Sequence, residues 1–165
     1  MRTARQSRAF SLVELVVVIV IIGILAAIAI PRLSRGAGGA AHSALDANLS
    51  TIRNAIAMYA QEHKNAFPGP DSAGFTNKLT KYSDANGATN ASKSSTYMYG
   101  PYLYAIPPCP VGENAGSNAV LIDSTNSPPA VNTAGGEGWV YNPTTGEFVA
   151  NTAQLDDKGK AYNTH

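Results

Sequence analysis

The chain begins with two hydrophobic patterns of different kinds. Residues 10–30 are almost wholly apolar, with Glu14 as the only charged residue among them. At 1.5 Å per residue, an α-helix of this length reaches roughly 31 Å, which is the hydrocarbon thickness of a bilayer. In lipid, a helix satisfies its backbone groups within one segment, so this pattern predicts a transmembrane helix.

The second pattern, in residues 31–65, is that of an amphipathic helix. Its apolar side chains recur at spacings of four and three residues, which places them on one helical face. They are Leu45, Leu49, Ile52, Ile56 and Tyr59. Pro31 is expected to kink the helix where the apolar segment ends. The helix breakers of residues 65–70 then end it. The two patterns together predict one long helix over about residues 10–64.

Residues 66–165 predict an extracytoplasmic globular head that is rich in short strands. Apolar and aromatic runs place strands near residues 119–123, 138–142 and 146–151, and the last two flank a short loop with turn chemistry. We expect these strands to form a small antiparallel sheet that covers the apolar stripe of the helix, with Trp139 and Phe148 as aromatic anchors. The predicted fold class is therefore α+β.

Charge sets the expected orientation of the apolar segment. Residues 1–9 contain Arg2, Arg5 and Arg8 and no acid, which favours a cytoplasmic N-terminus and an external head. Two simpler alternatives are a secretory signal peptide, with a cleavage site at residues 27–29, and a plain single-pass anchor. Neither accounts for Glu14, because an acid inside a membrane segment is costly and usually functional.

The run Phe10-Ser11-Leu12-Val13-Glu14, behind a short basic leader, resembles the N-terminal signature of the type IV prepilin family, which includes the pseudopilins of type II secretion. The resemblance implies a pilin-like fold and a leader, residues 1–9, that prepilin peptidase removes. The cut would lie between Ala9 and Phe10, with N-methylation of Phe10. Most members of the family have Gly before the cut, and this chain has Ala9.

Glu14 and Pro31 are the expected assembly residues. After cleavage, Phe10 carries a free amine, and Glu14 can neutralise the amine of a neighbouring subunit as the apolar helices bundle. A pair of buried charges costs far less than either charge alone. The same spacing also permits an intrachain pair, since Glu14 lies one helical turn from Phe10. The family resemblance favours pairing between subunits.

Composition and charge help to distinguish between a pilin and a pseudopilin and bear on the expected partners. The net charge of +1 becomes −2 without the leader, because nine of the twelve basic residues then face eleven acids. Beyond the membrane boundary no Lys/Arg-rich run remains, which argues against a nucleic-acid partner. Cys109 is the only cysteine, so the chain cannot close the disulfide that many type IV pilins contain. This favours a pseudopilin.

The predicted function is a structural subunit of a pseudopilus in type II secretion, placed in the inner membrane with its head in the periplasm. Its expected partners are further copies of itself, prepilin peptidase, the inner-membrane assembly platform, minor pseudopilins, and lipid before assembly. The alternative is a type IV pilin of a surface fibre for adhesion, motility or DNA uptake. No catalytic motif occurs, so an enzyme is not predicted, and the histidines are expected to be solvated: His42, His63 and His165.

The resemblance implies one candidate cofactor, a calcium ion in a C-terminal loop. Calcium prefers six to eight oxygen ligands. The acids expected to supply them are Asp123, Asp156 and Asp157, although an Asp-Asp pair also occurs in solvated turns. No other cofactor is expected.

Overall fold

The computed structural model describes residues 11–165, without the side chains of residues 29–37. The first element is a long helix, α1, at Leu12–Glu62. Its backbone stays helical through Pro31 and through the glycines of residues 36–39. The predicted long helix is therefore confirmed, with an end two residues earlier than expected.

The chain after α1 forms short elements joined by long loops. A second helix, α2, spans Ser72–Thr80, and Asp71 caps its N-terminus by accepting a hydrogen bond from the Gly74 backbone N–H. The strands are β1 Tyr82–Ser83, β2 Thr89–Asn90, β3 Val120–Ile122, β4 Trp139–Tyr141 and β5 Phe148–Ala150. Single turns of 3₁₀ helix lie at Thr133–Gly135 and Tyr162–Thr164.

The three predicted strands form one sheet in the order β3-β4-β5, but the sheet is mixed. The β4–β5 hairpin is antiparallel, as expected, with Tyr141 opposite Phe148. The expectation of an antiparallel β3 was wrong, because Val120 pairs with Trp139 in parallel register. Parallel neighbours need a crossover of about a dozen residues or more, and residues 123–138 provide that length. A separate pair, β1–β2, is antiparallel.

The hydrophobic core lies between the second half of α1 and the β3-β4-β5 sheet. Every residue of the predicted apolar stripe is buried, with exposures between 0% and 3%. Trp139 and Phe148 are also buried, and their ring centroids lie 5.2 Å apart. Phe75 of α2 joins them, 4.3 Å from the ring of Tyr141. The predicted packing of the stripe on the sheet is confirmed.

The described residues divide into two units, with the boundary between Gly38 and Gly39. The second unit contains the buried half of α1 together with α2, all five strands and the hydrophobic core.

Candidate functional site

Glu14 lies in the first turn of α1 and forms a capping box with Ser11. Its Oε2 atom accepts a hydrogen bond of 2.8 Å from the backbone N–H of Ser11. Ser11 Oγ in turn accepts one of 3.3 Å from the backbone N–H of Val13. Such reciprocal bonds satisfy amide groups that the first turn of a helix leaves without partners. The carboxylate is therefore engaged within its own chain by a backbone amide.

Other residues predicted for processing and assembly lie partly outside the described residues. Ala9 and Phe10 are among those not described. Pro31 lies within α1, and its side chain is not described. The roles of Ala9, Phe10 and Pro31 stay predictions.

The first half of α1 exposes its large apolar side chains. They run from Leu12 to Ile28 and are between 43% and 80% exposed. Within residues 11–165, no helix reaches the length and hydropathy expected of a membrane-spanning segment.

The first predicted calcium ligand, Asp123, is committed to its own loop. Its Oδ1 atom accepts from the backbone N–H groups of Thr125 and Asn126, and its Oδ2 atom accepts from the Asn126 side chain and from the Ala130 backbone N–H. Several hydrogen bonds hold the pKa of Asp123 far below its usual value, and the one from the Ala130 amide contributes most. The arrangement organises residues 123–130 as a tight loop.

The other two predicted ligands are in a turn near the end of the chain. Asp156 is buried, and its Oδ1 atom accepts hydrogen bonds of 2.8 Å from the backbone N–H groups of Lys158 and Lys160. These bonds, that of Lys160 first, lower the pKa of Asp156. Asp157 is exposed. Calcium binding by Asp123, Asp156 and Asp157 stays a prediction.

The histidines differ most from expectation, because they are not solvated. His63 is buried, with its ring stacked on Tyr59 at a centroid distance of 3.9 Å. One of its ring nitrogens contacts the Asp84 carbonyl oxygen at 2.9 Å, and the same nitrogen lies 3.1 Å from Ser83 Oγ. His63 therefore links the end of α1 to β1 and the loop that follows it.

His42 and His165 lie against each other, with ring centroids 4.6 Å apart. Their side chains are only 20% and 7% exposed. Within the described part of the chain, His42, Asp46 and His165 are the one group of three or more His, Cys, Asp or Glu residues whose ligand atoms all lie within 4.8 Å of one another. The i, i+4 spacing of His42 and Asp46 was a signal in the sequence, whereas nothing local connects them to His165.

The comparisons with known proteins bear on the N-terminal segment alone. No curated protein and no solved structure matches the chain. Residues 4–30 match the family model described as the prokaryotic N-terminal methylation motif. This motif implies processing by a prepilin peptidase and polymerisation into filaments, and it suggests membrane anchoring. The chain therefore carries a type IV prepilin-like signature, which is that of structural subunits.

Proposed function

We propose that this protein is a structural subunit of a pseudopilus in type II protein secretion and not an enzyme. It is inserted in the inner membrane through residues 10–30, with a cytoplasmic N-terminus and a periplasmic head. Prepilin peptidase cuts between Ala9 and Phe10, and Phe10 is then N-methylated. The methylation motif at residues 4–30 is the observation that carries the proposal.

The exposed apolar half of α1 supports a role in which this segment is covered by something outside the chain. An apolar surface of this extent marks a site of contact with protein or membrane. Lipid would cover it before assembly, and the same segments of neighbouring subunits would cover it in the filament. The compact unit at residues 39–165 has its own core and would decorate the outside of such a filament.

Glu14 is the proposed assembly residue. Its Oε2 atom accepts a hydrogen bond from the Ser11 amide. In the filament, its negative charge would neutralise the amine of Phe10 on a neighbouring subunit. A charge pair that forms only between subunits sets their axial register and lowers the cost of burying both groups. Pro31 would mark where the helix adjusts as subunits pack, because proline removes one backbone hydrogen bond.

Two observations favour a pseudopilus over a surface fibre. Cys109 is the only cysteine and it is buried, so the head has no internal disulfide and no exposed thiol with which to form one between subunits. The β-sheet of the head is also small, with three strands of three residues each. The second candidate, a type IV pilin for adhesion, motility or DNA uptake, is supported by the same methylation motif.

Deleting the gene in its native host separates the two candidates. We expect the secreted hydrolases to stay inside the cell while surface pili and twitching motility persist, and the intact gene to restore secretion. Lost piliation with normal secretion would instead establish the surface pilin. The partners proposed for the pseudopilus are the inner-membrane assembly platform and minor pseudopilins, and cross-linking from the head in living cells would identify them.

A chimaeric protein tests whether polymerisation matters at all. Residues 10–30 are replaced by an unrelated membrane anchor of equal length, so that the head stays in the periplasm but the filament core is lost. A filament subunit loses its function in this replacement. Retained secretion would show that the chain is an anchored periplasmic domain, and the filament proposal would fail.

A further inference from the structure

The cluster formed by His42, Asp46, Asp156 and His165 has an unbalanced charge. His42 and Asp46 lie one turn apart on α1, Asp156 lies in the turn near the end of the chain, and His165 follows the last 3₁₀ turn. The Asp156 side chain is only 2% exposed. A buried carboxylate is costly unless a cation or hydrogen bonds compensate it. With neutral imidazoles the cluster carries a charge of −2, which one divalent cation would balance.

Three of the four contacts between ring nitrogens and carboxylate oxygens are too long for hydrogen bonds, and the fourth, between His165 Nδ1 and Asp46 Oδ1, is a long hydrogen bond. Asp156 Oδ2 lies 3.7 Å from His42 Nε2 and 3.6 Å from His165 Nε2. On the other side of the rings, Asp46 Oδ2 lies 3.9 Å from His42 Nδ1, and Asp46 Oδ1 lies 3.3 Å from His165 Nδ1. Protein N–H···O bonds are normally about 2.7–3.2 Å long. Two of these buried nitrogens, His42 Nδ1 and His165 Nε2, have no hydrogen-bond partner among the described residues.

The separations among His42, Asp46 and His165 are close to those of ligands that share an ion. Zinc binds imidazole nitrogen and carboxylate oxygen at about 2.0–2.2 Å, so two ligands in a tetrahedral site lie roughly 3.3–3.6 Å apart. The ligand atoms of His42, Asp46 and His165 all lie within 4.8 Å of one another, close enough for small side-chain rotations to bring them onto one ion. His42 Nδ1, which faces Asp46, is a buried nitrogen without a hydrogen-bond partner among the described residues, and an ion shared with Asp46 would explain it.

Two residues of the cluster, Asp156 and His165, are held in place by hydrogen bonds. The Oδ1 atom of Asp156 is fixed by the amides of Lys158 and Lys160, which leaves Oδ2 for the imidazoles. Arg53 donates a hydrogen bond of 2.6 Å to the main-chain oxygen of His165 and another to the carbonyl oxygen of Phe148 in β5. His165 is therefore anchored to α1 through Arg53, which is itself bonded to the sheet. Pre-oriented ligands of this kind are typical of metal sites.

We propose that His42, Asp46 and His165 bind one zinc-like transition-metal ion, with Asp156 on the opposite side of both imidazoles supplying the second negative charge. Imidazole selects zinc and related ions, whereas calcium takes oxygen ligands, so this site differs in its ligands from the predicted calcium site, with which it shares only Asp156. Three protein ligands leave a fourth position for water. Asp46 is 58% exposed, so the ion would enter from that side. The site would fasten His165 to α1, and it does not depend on the proposed secretion function.

The test uses the full chain in detergent, stripped of metal with a chelator and then titrated with zinc ions alone. We expect one zinc per chain by equilibrium dialysis and a rise in Tm of about 5 °C or more at saturation, because a ligand that binds only the folded state stabilises it. Calcium at the same concentration should bind more weakly and change Tm less. Bound cobalt should show the visible absorption of a tetrahedral site.

Three variants remove one ligand each: His42→Asn, His165→Asn and Asp46→Asn. Each should weaken zinc binding by about tenfold or more, whereas Asp157→Asn, an exposed neighbour of the cluster, should bind as the parent does. Because Asp46 is more than half exposed, Asp46→Asn should keep the metal-free Tm, so its loss of zinc is not a folding defect. Absent zinc binding in the parent chain, or equal binding in all three variants, would overturn the proposal. A Tm that responds to pH through these histidines but not to zinc would also overturn it.

Discussion

The two halves of α1 place the same types of apolar residue in opposite environments. From Leu12 to Ile28, the large apolar side chains are exposed. From Leu45 to Tyr59, the apolar stripe is buried against the sheet. The apolar stripe of the second half is therefore covered by the sheet of its own chain, whereas the apolar side chains of the first half are left exposed. One continuous helix thus combines a segment stabilised by folding with a segment that we propose is stabilised by lipid and by assembly.

The largest effect is expected from substituting Glu14, which lies in the exposed half of α1. We expect Glu14→Ala to give a processed membrane protein that assembles few or no filaments, because the neighbouring Phe10 amine would then be buried without a counter-charge. Electron microscopy of filaments and N-terminal sequencing of the mature chain are the measurements. Normal filaments from Glu14→Ala would contradict the assembly role.

Two further variants separate charge pairing from helix capping. Glu14→Gln keeps an oxygen that can accept the Ser11 amide but removes the charge. Ser11→Ala keeps the charge but removes the hydroxyl that caps Val13, at a cost of about 1 kcal/mol to the helix start. We expect Glu14→Gln to assemble as poorly as Glu14→Ala, and Ser11→Ala to assemble. The reverse pattern would make the capping box the essential feature.

A matched pair of isoleucines on α1 compares the two halves directly. Ile52 is fully buried in the core, and Ile19 is 57% exposed. Ile52→Ala should lower the free energy of unfolding by about 2–5 kcal/mol, while Ile19→Ala should change it by less than about 0.5 kcal/mol. Denaturant unfolding of the full chain in detergent, followed by the fluorescence of the single Trp139, gives both values. Equal losses would mean that the first half also packs within its own chain.

The sequence predicted these helical segments well because their signals are local. A run of apolar residues and a stripe at helical spacing each depend only on neighbours along the chain. The parallel pairing of β3 with β4 was missed because strand direction depends on the path taken by residues 123–138. The histidine cluster was missed for the same kind of reason: His42 and His165 are brought together only by the fold, and each one alone resembles a surface histidine.

Two glycines of the head test how tightly its loops are packed. Gly146, in the β4–β5 turn, and Gly116 have φ angles of 77° and 90°, which non-glycine residues rarely adopt. Alanine at Gly116 meets open space and should cost about 1–2 kcal/mol from backbone strain alone. At Gly146 the added Cβ would lie 2.5 Å from Phe67 Cε1, so Gly146→Ala should cost about 1–3 kcal/mol more. Equal costs in denaturant unfolding would show that Phe67 moves aside freely.

The smallest expected effect concerns Asp123. The hydrogen bonds to its carboxylate come from its own chain, whereas we propose that Glu14 pairs with a neighbouring subunit. The amides and hydroxyl around Asp123 lower its pKa in the folded state. Its stabilisation is therefore fully present above the unfolded pKa of about 3.9 and is lost as the pH falls towards the folded value. Asp123→Asn should lower Tm at neutral pH and make the loss of stability below about pH 4 less steep, whereas Asp157→Asn should change neither. Because these bonds lie within one chain, the effect should appear in unassembled protein in detergent, where Glu14→Gln should leave Tm unchanged. If stability falls as steeply in acid for Asp123→Asn as for the parent, other carboxylates control acid unfolding.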